Sequence, residues 1–296
     1  STTGASAGGR SQESTAPKLQ AIGDYSTLAS SPEPLCAIAV VPETGLIYGK
    51  SATTNAFFRY NLLTNSWQTL APAPIAGGIR AFYMYDKIYI WHSTTYTVYN
   101  IAANSWSTST VNTGTTAVTS DGTYFYFARS NLFYRHNPDS GTFKTMPSVF
   151  TPISSDGGSL AYANGVIYAK NRNQQGNGNT RFMRYFIQAG AWEDAPEMPG
   201  EGGMGNAFDT GSQQYYTVSA TGFKIFDVKT ETWSDKAIPL FTISDAVTFA
   251  GLEGKSGVYF SESGGTRFGR YETPPSPPWL SLNQMDGIIS PGATTN

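Results

Sequence analysis

The chain carries two histidines, His92 and His136, and one cysteine, Cys36. These are the side chains that most readily ligate a transition metal or act as a nucleophile or base. A zinc or iron centre needs several His, Cys or carboxylate ligands converging on one point. His136 stands where comparable stretches of the chain carry Tyr or Phe, so it reads as a packing residue. His92 follows a different kind of segment, and joint ligation by the two is not expected. Cys36 lies between Leu35 and Ile38 and reads as a small buried hydrophobe; a single cysteine allows no intrachain disulfide. Paired-carboxylate hydrolysis needs two acids in one cleft. Asp121, Asp156, Asp209, Glu193, Asp194 and Glu201 mostly flank Gly or Pro, which suits turns instead. There is no G-x-S-x-G elbow, and Gly202-Gly203-Met204-Gly205 lacks the strand–helix setting of a dinucleotide site. No cofactor is therefore expected.

Composition narrows the classes further. Only 14% of the 296 residues are charged and the net charge is −2. A nucleic-acid binder would show a basic stripe. No run of 18 apolar residues occurs, so no membrane span is expected. Aromatics reach 14% and glycine is plentiful. Tyr, Phe, Thr and Val favour strands, and no long segment has a 3.6-residue apolar period. Helix should be nearly absent.

The elements that must position any site come from a repeat. In Phe58-Arg59-Tyr60-Asn61-Leu62-Leu63-Thr64-Asn65-Ser66-Trp67 an alternating strand is followed by an Asn/Thr/Ser turn and a strand that opens on Trp. The spacing returns at Tyr99-Asn100 with Trp106 and at Phe226-Asp227 with Trp233, and more loosely at His136-Asn137 with Phe143 and Tyr185-Phe186 with Trp192. The anchors Tyr25, Trp67, Trp106, Phe143, Trp192 and Trp233 recur every 37–49 residues. Ahead of each template lies a Tyr- or Phe-bearing strand: Leu46-Ile47-Tyr48, Ile88-Tyr89-Ile90, Tyr124-Phe125-Tyr126, Val166-Ile167-Tyr168, Tyr215-Tyr216-Thr217 and Val258-Tyr259-Phe260. A small, Gly-rich strand precedes most of these (Gly77-Gly78, Gly157-Gly158, Gly202-Gly203). Four strands per unit and six units predict an all-β, six-bladed propeller. Tyr25 to Ala29 matches the outer strand of a unit that lacks its own inner strands, so it should close the ring against Phe268 to Tyr271. Trp279 is the competing partner. Trp67, Trp106, Trp192 and Trp233 should be largely buried between blades. Arg59, Arg135, Arg184 and Arg270 each precede the template aromatic. They read as stems packed between blades with their heads on a carbonyl or carboxylate, or else as contacts for an anion or partner.

The aromatic-Asn/Asp spacing to Trp, the proline exits and the Tyr-centred strand resemble kelch repeats over about residues 24–272. The double glycine usual after the Tyr-centred strand of such repeats is replaced by Gly49-Lys50, Trp91-His92, Ala128-Arg129 or Ala169-Lys170. The resemblance implies a kelch-like propeller that binds proteins through loops on one face. It also raises a copper oxidase like galactose oxidase, which would need His and Tyr ligands and a Cys–Tyr crosslink at the axis. Two histidines at different strand positions do not suit that chemistry.

Three regions fall outside the repeat: residues 1–20, a Gly/Ser/Thr-rich arm; the polar insertion Ala169 to Arg181; and the Pro-rich tail 274–296. The propeller would span 21–273. These extensions make Asn171, Arg172, Asn173, Gln174, Gln175, Asn177, Arg181, Pro278, Trp279 and Leu280 the candidate partner contacts. The reading is a non-enzymatic interaction module that binds protein partners, including copies of itself through the termini, at an extracellular or virion surface. A glycan-binding propeller is the alternative, since aromatic faces beside Asn and Asp suit sugars. A kelch-type metal oxidase is the second alternative.

Overall fold

A computed structural model describes residues 25–111, 114–153, 158–171, 179–200, 202–219, 222–237 and 241–273. Among these, 24 strands form six four-stranded antiparallel sheets and no helix occurs. The first strand, β1 (Tyr25–Leu28), belongs to the last sheet. Blade 1 is β2 (Leu35–Val41), β3 (Leu46–Ser51), β4 (Phe57–Asn61) and β5 (Ser66–Thr69). Blade 2 is β6 (Arg80–Met84), β7 (Lys87–Trp91), β8 (Thr95–Asn100) and β9 (Ser105–Thr110). Blade 3 is β10 (Ala117–Ser120), β11 (Phe125–Arg129), β12 (Leu132–His136) and β13 (Phe143–Met146). Blade 4 is β14 (Ser159–Ala163), β15 (Val166–Asn171), β16 (Thr180–Phe186) and β17 (Ala191–Met198). Blade 5 is β18 (Gly202–Asp209), β19 (Gln214–Ser219), β20 (Gly222–Asp227) and β21 (Thr232–Ala237). Blade 6 is β22 (Ile243–Ala250), β23 (Gly257–Glu262) and β24 (Phe268–Glu272), completed by β1. The innermost strands β2, β6, β10, β14, β18 and β22 touch their neighbours in ring order, so the sheets form a closed six-bladed β-propeller.

Closure follows the pairing expected from the repeat. β1 lies antiparallel to β24 with Tyr25 opposite Tyr271 and Leu28 opposite Phe268. The Ser31 amide then donates to the Thr266 carbonyl at 2.8 Å. Pairing with β1 covers the strand edge that β24 would otherwise expose. The Trp279 alternative lies outside the described residues, as do the arm 1–20 and the tail from Pro274.

The seams between blades explain the repeat. The four anchor indoles each donate to a backbone carbonyl at or near the end of the previous blade's outer strand. Trp67 Nε1 donates to Ala29 O at 2.9 Å, Trp106 to Ala71 O at 2.9 Å, Trp192 to Pro147 O at 3.0 Å and Trp233 to Pro196 O at 2.8 Å. The ring meets an aromatic of the same previous blade edge-on, as Trp67 does with Phe268 at 5.1 Å and Trp192 with Phe133 at 5.0 Å. Trp192 is buried, and Trp67, Trp106 and Trp233 are partly buried. All four are thus largely buried, as expected, and the rims of three face solvent because outer strands lie at the periphery of the disc.

Two positions before the anchors of blades 1 to 5 the backbone is left-handed: Asn65 (φ 51°), Asn104 (φ 47°), Gly141 (φ 70°), Gly190 (φ 66°) and Glu231 (φ 53°). At Asn65 and Asn104 the side-chain oxygen accepts both the Tyr hydroxyl of its own blade and the amide of the previous blade's exit residue, Ala29 or Ala71. In blades 4 and 5 the exit residue is Pro147 or Pro196, which has no N–H to offer. There the Asn is replaced by Gly190 or Glu231.

Near the axis space is short. A Cβ on Gly205 would come within 2.8 Å of Val218 and 3.0 Å of the Asp245 backbone in blade 6. β18 carries a register shift between Gly202 and Asn206 at the same place.

Candidate functional site

The connectors between blades and the turns between second and third strands emerge on one face of the disc. Two features converge there, one at the axis and one at the rim.

At the axial feature, inner-strand residues from all six blades line a cavity of about 220 Å³. At one level the inner strands supply Ala37, Arg80, Ala117 and Ser159, with Gly205 and Ala246 completing the turn of the ring. Arg80 is thus the one large side chain among small ones. It stands in blade 2 yet interacts electrostatically with Asp245 of blade 6 and Tyr215 of blade 5, so it reaches across the axis. Burial pulls its guanidinium below the usual value and Asp245 opposes this. The fully buried Lys170 ammonium donates to the Gly203 carbonyl and to Thr217 Oγ1 of the next blade. Burial pushes Lys170 down to about 7; Asp245 resists the shift and Arg80 adds to it. Asp245 Oδ1 in turn accepts the Gly205 amide at 2.7 Å. Two cationic groups and one carboxylate therefore tie blades 2, 4, 5 and 6 across the channel.

The rim feature sits between blades 3 and 4. Val149 and Ile153 are buried, and their amides donate to the carbonyls of Asn131 and Ser130, each at 2.9 Å. Asn171 Nδ2 donates to Pro152 O, and Arg181 donates to Thr151 Oγ1. Between these anchors Phe150 is 58% exposed. The Arg181 guanidinium lies 5.9 Å from the Phe150 ring centroid and forks onto Asp194 at 2.9 and 3.0 Å. A large apolar ring is held outward on a fixed segment, with a guanidinium beside it.

Of the residues singled out from sequence, the structure places two. Asn171 is the last residue of β15, 2% exposed, and it anchors the Pro152 carbonyl rather than facing outward. Arg181 pairs with it across the last rung of the sheet, at the edge of the Phe150 surface. Ala169, Lys170 and Asn171 belong to β15 and Thr180 and Arg181 to β16, so the insertion is shorter than the sequence suggests. Arg172, Asn173, Gln174, Gln175, Asn177, Pro278, Trp279 and Leu280 lie outside the described residues. Sequence reasoning missed Phe150 because the 147–153 connector matches no repeat position; an aromatic in a polar connector was the available signal.

The repeated arginines behave as stems with paired heads. Arg184 reaches Glu231 of the next blade at 2.5 Å and Arg270 bonds Glu272. Arg135 stacks over Tyr124 at 4.3 Å. Cys36 Sγ lies 3.4 Å from the Ser51 carbonyl, and burial pushes its thiol up to about 11, which keeps it protonated and unreactive at neutral pH. Among the described residues no group of three or more His, Cys, Asp or Glu is placed to hold a metal ion. No helix among them is long and apolar enough to cross a membrane.

No protein-family model matches the chain, and no curated protein matches it. Solved structures do. A structural-genomics protein of unknown function from Bacteroides thetaiotaomicron superposes with a TM-score of 0.59 at 16% identity, over 84% of this chain and 72% of its own. The structure of YjhT gives a TM-score of 0.63 at 8% identity, over 81% of this chain and 95% of its own. At such identities the likeness is one of fold, and what the chain shares with both is the propeller.

Proposed function

We infer that the protein is a non-enzymatic binding scaffold, a divergent kelch-like propeller that engages protein partners through the face bearing the inter-blade connectors. The supporting observation is Phe150. A solitary exposed aromatic on a floppy loop would be unremarkable, but this one is clamped by four hydrogen bonds from two blades. Aromatic and Arg side chains dominate the energy of protein interfaces, and pre-ordering them lowers the entropic cost of docking. The sparse charge and Ser/Thr/Asn/Tyr-rich composition suit an extracellular or virion-surface setting, where the terminal segments would join copies of the chain.

The experiment compares wild type with Phe150→Ser and Arg181→Ser, each matched for melting temperature, as immobilised baits for surface-protein preparations. Light scattering of the full chain against residues 22–273 reads self-association. A retained protein lost with both variants supports the reading. Identical retained sets for all three baits, with no change in oligomeric state on trimming, would overturn it.

A further inference from the structure

The seam between blades 2 and 3 differs from the seams closed by tryptophan. Its anchor is Phe143, which has no N–H to donate to the previous blade. Phe143 is 45% exposed, and beside it a cleft of about 720 Å³ opens at the rim. The walls are Ser109 and Thr110 from the end of β9 and Tyr134, Asp139, Ser140 and Phe143 from blade 3.

The floor is fixed by hydrogen bonds. His136 Nδ1 lies 3.2 Å from the Thr142 carbonyl, which can only accept, so Nδ1 carries the proton. His136 Nε2 then accepts from the Tyr96 hydroxyl at 3.2 Å. Burial holds the His136 ring below its usual value, so the floor is uncharged at neutral pH. His136 packs at 4.6 Å from Phe143 and sets the ring's orientation.

We propose that this cleft binds a neutral pyranose sugar, at a site separate from the Phe150 surface. Four properties select that class. The exposed Phe143 ring offers a π-face, whose negative charge attracts the C–H face of a pyranose. Ser109, Thr110 and Ser140 supply hydroxyls that both donate and accept, and the Asp139 carboxylate can accept from two adjacent sugar hydroxyls. Among the described residues no Lys or Arg lines the cleft, so an anionic ligand would meet Asp139 without compensation. The volume lies within the ordinary range of small-molecule sites. A lipid or purely apolar ligand would leave the hydroxyl rim without partners.

The test is saturation-transfer NMR on the full chain with methyl glycosides of glucose, galactose, mannose and N-acetylglucosamine. Glucuronate serves as the anionic probe and N-acetyl-tyrosinamide as the aromatic peptide probe. At least one neutral glycoside should bind with a millimolar Kd. Phe143→Ala and Asp139→Asn should each weaken it about tenfold or more, with melting temperatures close to wild type. Leu63→Ala, exposed on another blade, should leave it unchanged. Absence of transfer to every neutral glycoside overturns the proposal. So does wild-type affinity in both cleft variants, or binding of N-acetyl-tyrosinamide alone, which would make the cleft a peptide site.

Discussion

Gly190→Asn should stabilise the protein, although it puts a side chain at a left-handed position. In blades 1 and 2 the hydroxyls of Tyr60 and Tyr99 each donate at 2.7 Å to the Asn two residues before the anchor. In blade 4 the equivalent Tyr185 hydroxyl is buried and has no partner, because that position is Gly190. An unpaired buried hydroxyl costs about 1–3 kcal/mol. A Cβ on Gly190 would lie 3.8 Å from Tyr185 Oη, an ordinary contact, so an Asn there starts within reach and without a clash. Left-handed backbone costs most L-residues about 1–2 kcal/mol, with Asn among the exceptions. Losing a glycine from the unfolded chain returns about 0.4–1 kcal/mol. The net expectation is a gain of about 1 kcal/mol for Asn.

Gly190→Ala carries the same Cβ without the oxygen, and also without asparagine's tolerance of left-handed backbone. It should be neutral or about 1 kcal/mol destabilising, so the Asn–Ala difference is about 1–2 kcal/mol. Tyr185→Phe removes the orphan hydroxyl and should cost little or stabilise, whereas Tyr60→Phe should cost about 1 kcal/mol. Urea denaturation of the single variants and of Gly190→Asn in the Tyr185→Phe background completes the cycle. If Asn is no better than Ala, or keeps its advantage undiminished when Tyr185 is Phe, the hydrogen-bond reasoning is refuted.

Other expectations follow from the seams, the closure and the axis. Trp106→Phe should cost about 1 kcal/mol for the lost bond to Ala71 and Trp106→Ala about 3 kcal/mol, measured by the same denaturation; equal costs would mean the indole nitrogen matters alone. A chain beginning at Ser31 lacks β1 and exposes the edge of β24, so its melting temperature should fall sharply; an unchanged melt would remove closure from the account. Lys170 is held near 7 in the folded state and titrates near 10.4 when unfolded. Between those values the unfolded chain binds the extra proton, so stability should rise with pH, by up to about 1.4 kcal/mol per unit. Denaturation midpoints should climb from pH 7 to 9 in wild type and stay flatter in Lys170→Met; parallel curves would mean the ammonium is not desolvated as described.

The blades were legible because each repeat must solve the same problem. An aromatic at the anchor, a left-handed turn residue two positions earlier and a Tyr on the second strand leave a fixed-period imprint, and six imprints specify a closed ring. The N-terminal strand was legible for the same reason, since Tyr25 carries the anchor without its partners. Lys170 was misplaced into a polar loop because its charge suggested exposure; only the fold reveals the Thr217 hydroxyl and Gly203 carbonyl waiting for it on the next blade. Phe150 left no imprint, because exposure of a connector residue depends on anchors contributed by Ser130, Asn131, Asn171 and Arg181, distant in sequence. The solvent contact at the rims of Trp67, Trp106 and Trp233 was likewise invisible, since spacing fixes which residues meet but not how near the rim they lie.

Deviations from the repeat therefore carry more functional information than the repeat itself. A residue that conforms, such as Trp67 or Asn104, is already accounted for by seam packing. A departure either harms the fold or is compensated locally. The Gly190 and Glu231 departures accompany Pro147 and Pro196, which offer no amide, so half of the asparagine's role is lost there, although at Gly190 the Tyr185 hydroxyl is left unpaired. Arg80 in a ring of small residues is compensated by Asp245 across the axis, and it ties blades together. Phe143 has no such compensation: the seam loses the carbonyl bond, the ring is left half in solvent, and a cleft remains open. Phe150 is the reverse case, where hydrogen bonds are expended to keep an apolar ring out of the core. Folding alone would favour a Trp at 143 and a polar residue at 150, so these two positions are the ones on which the two binding proposals rest.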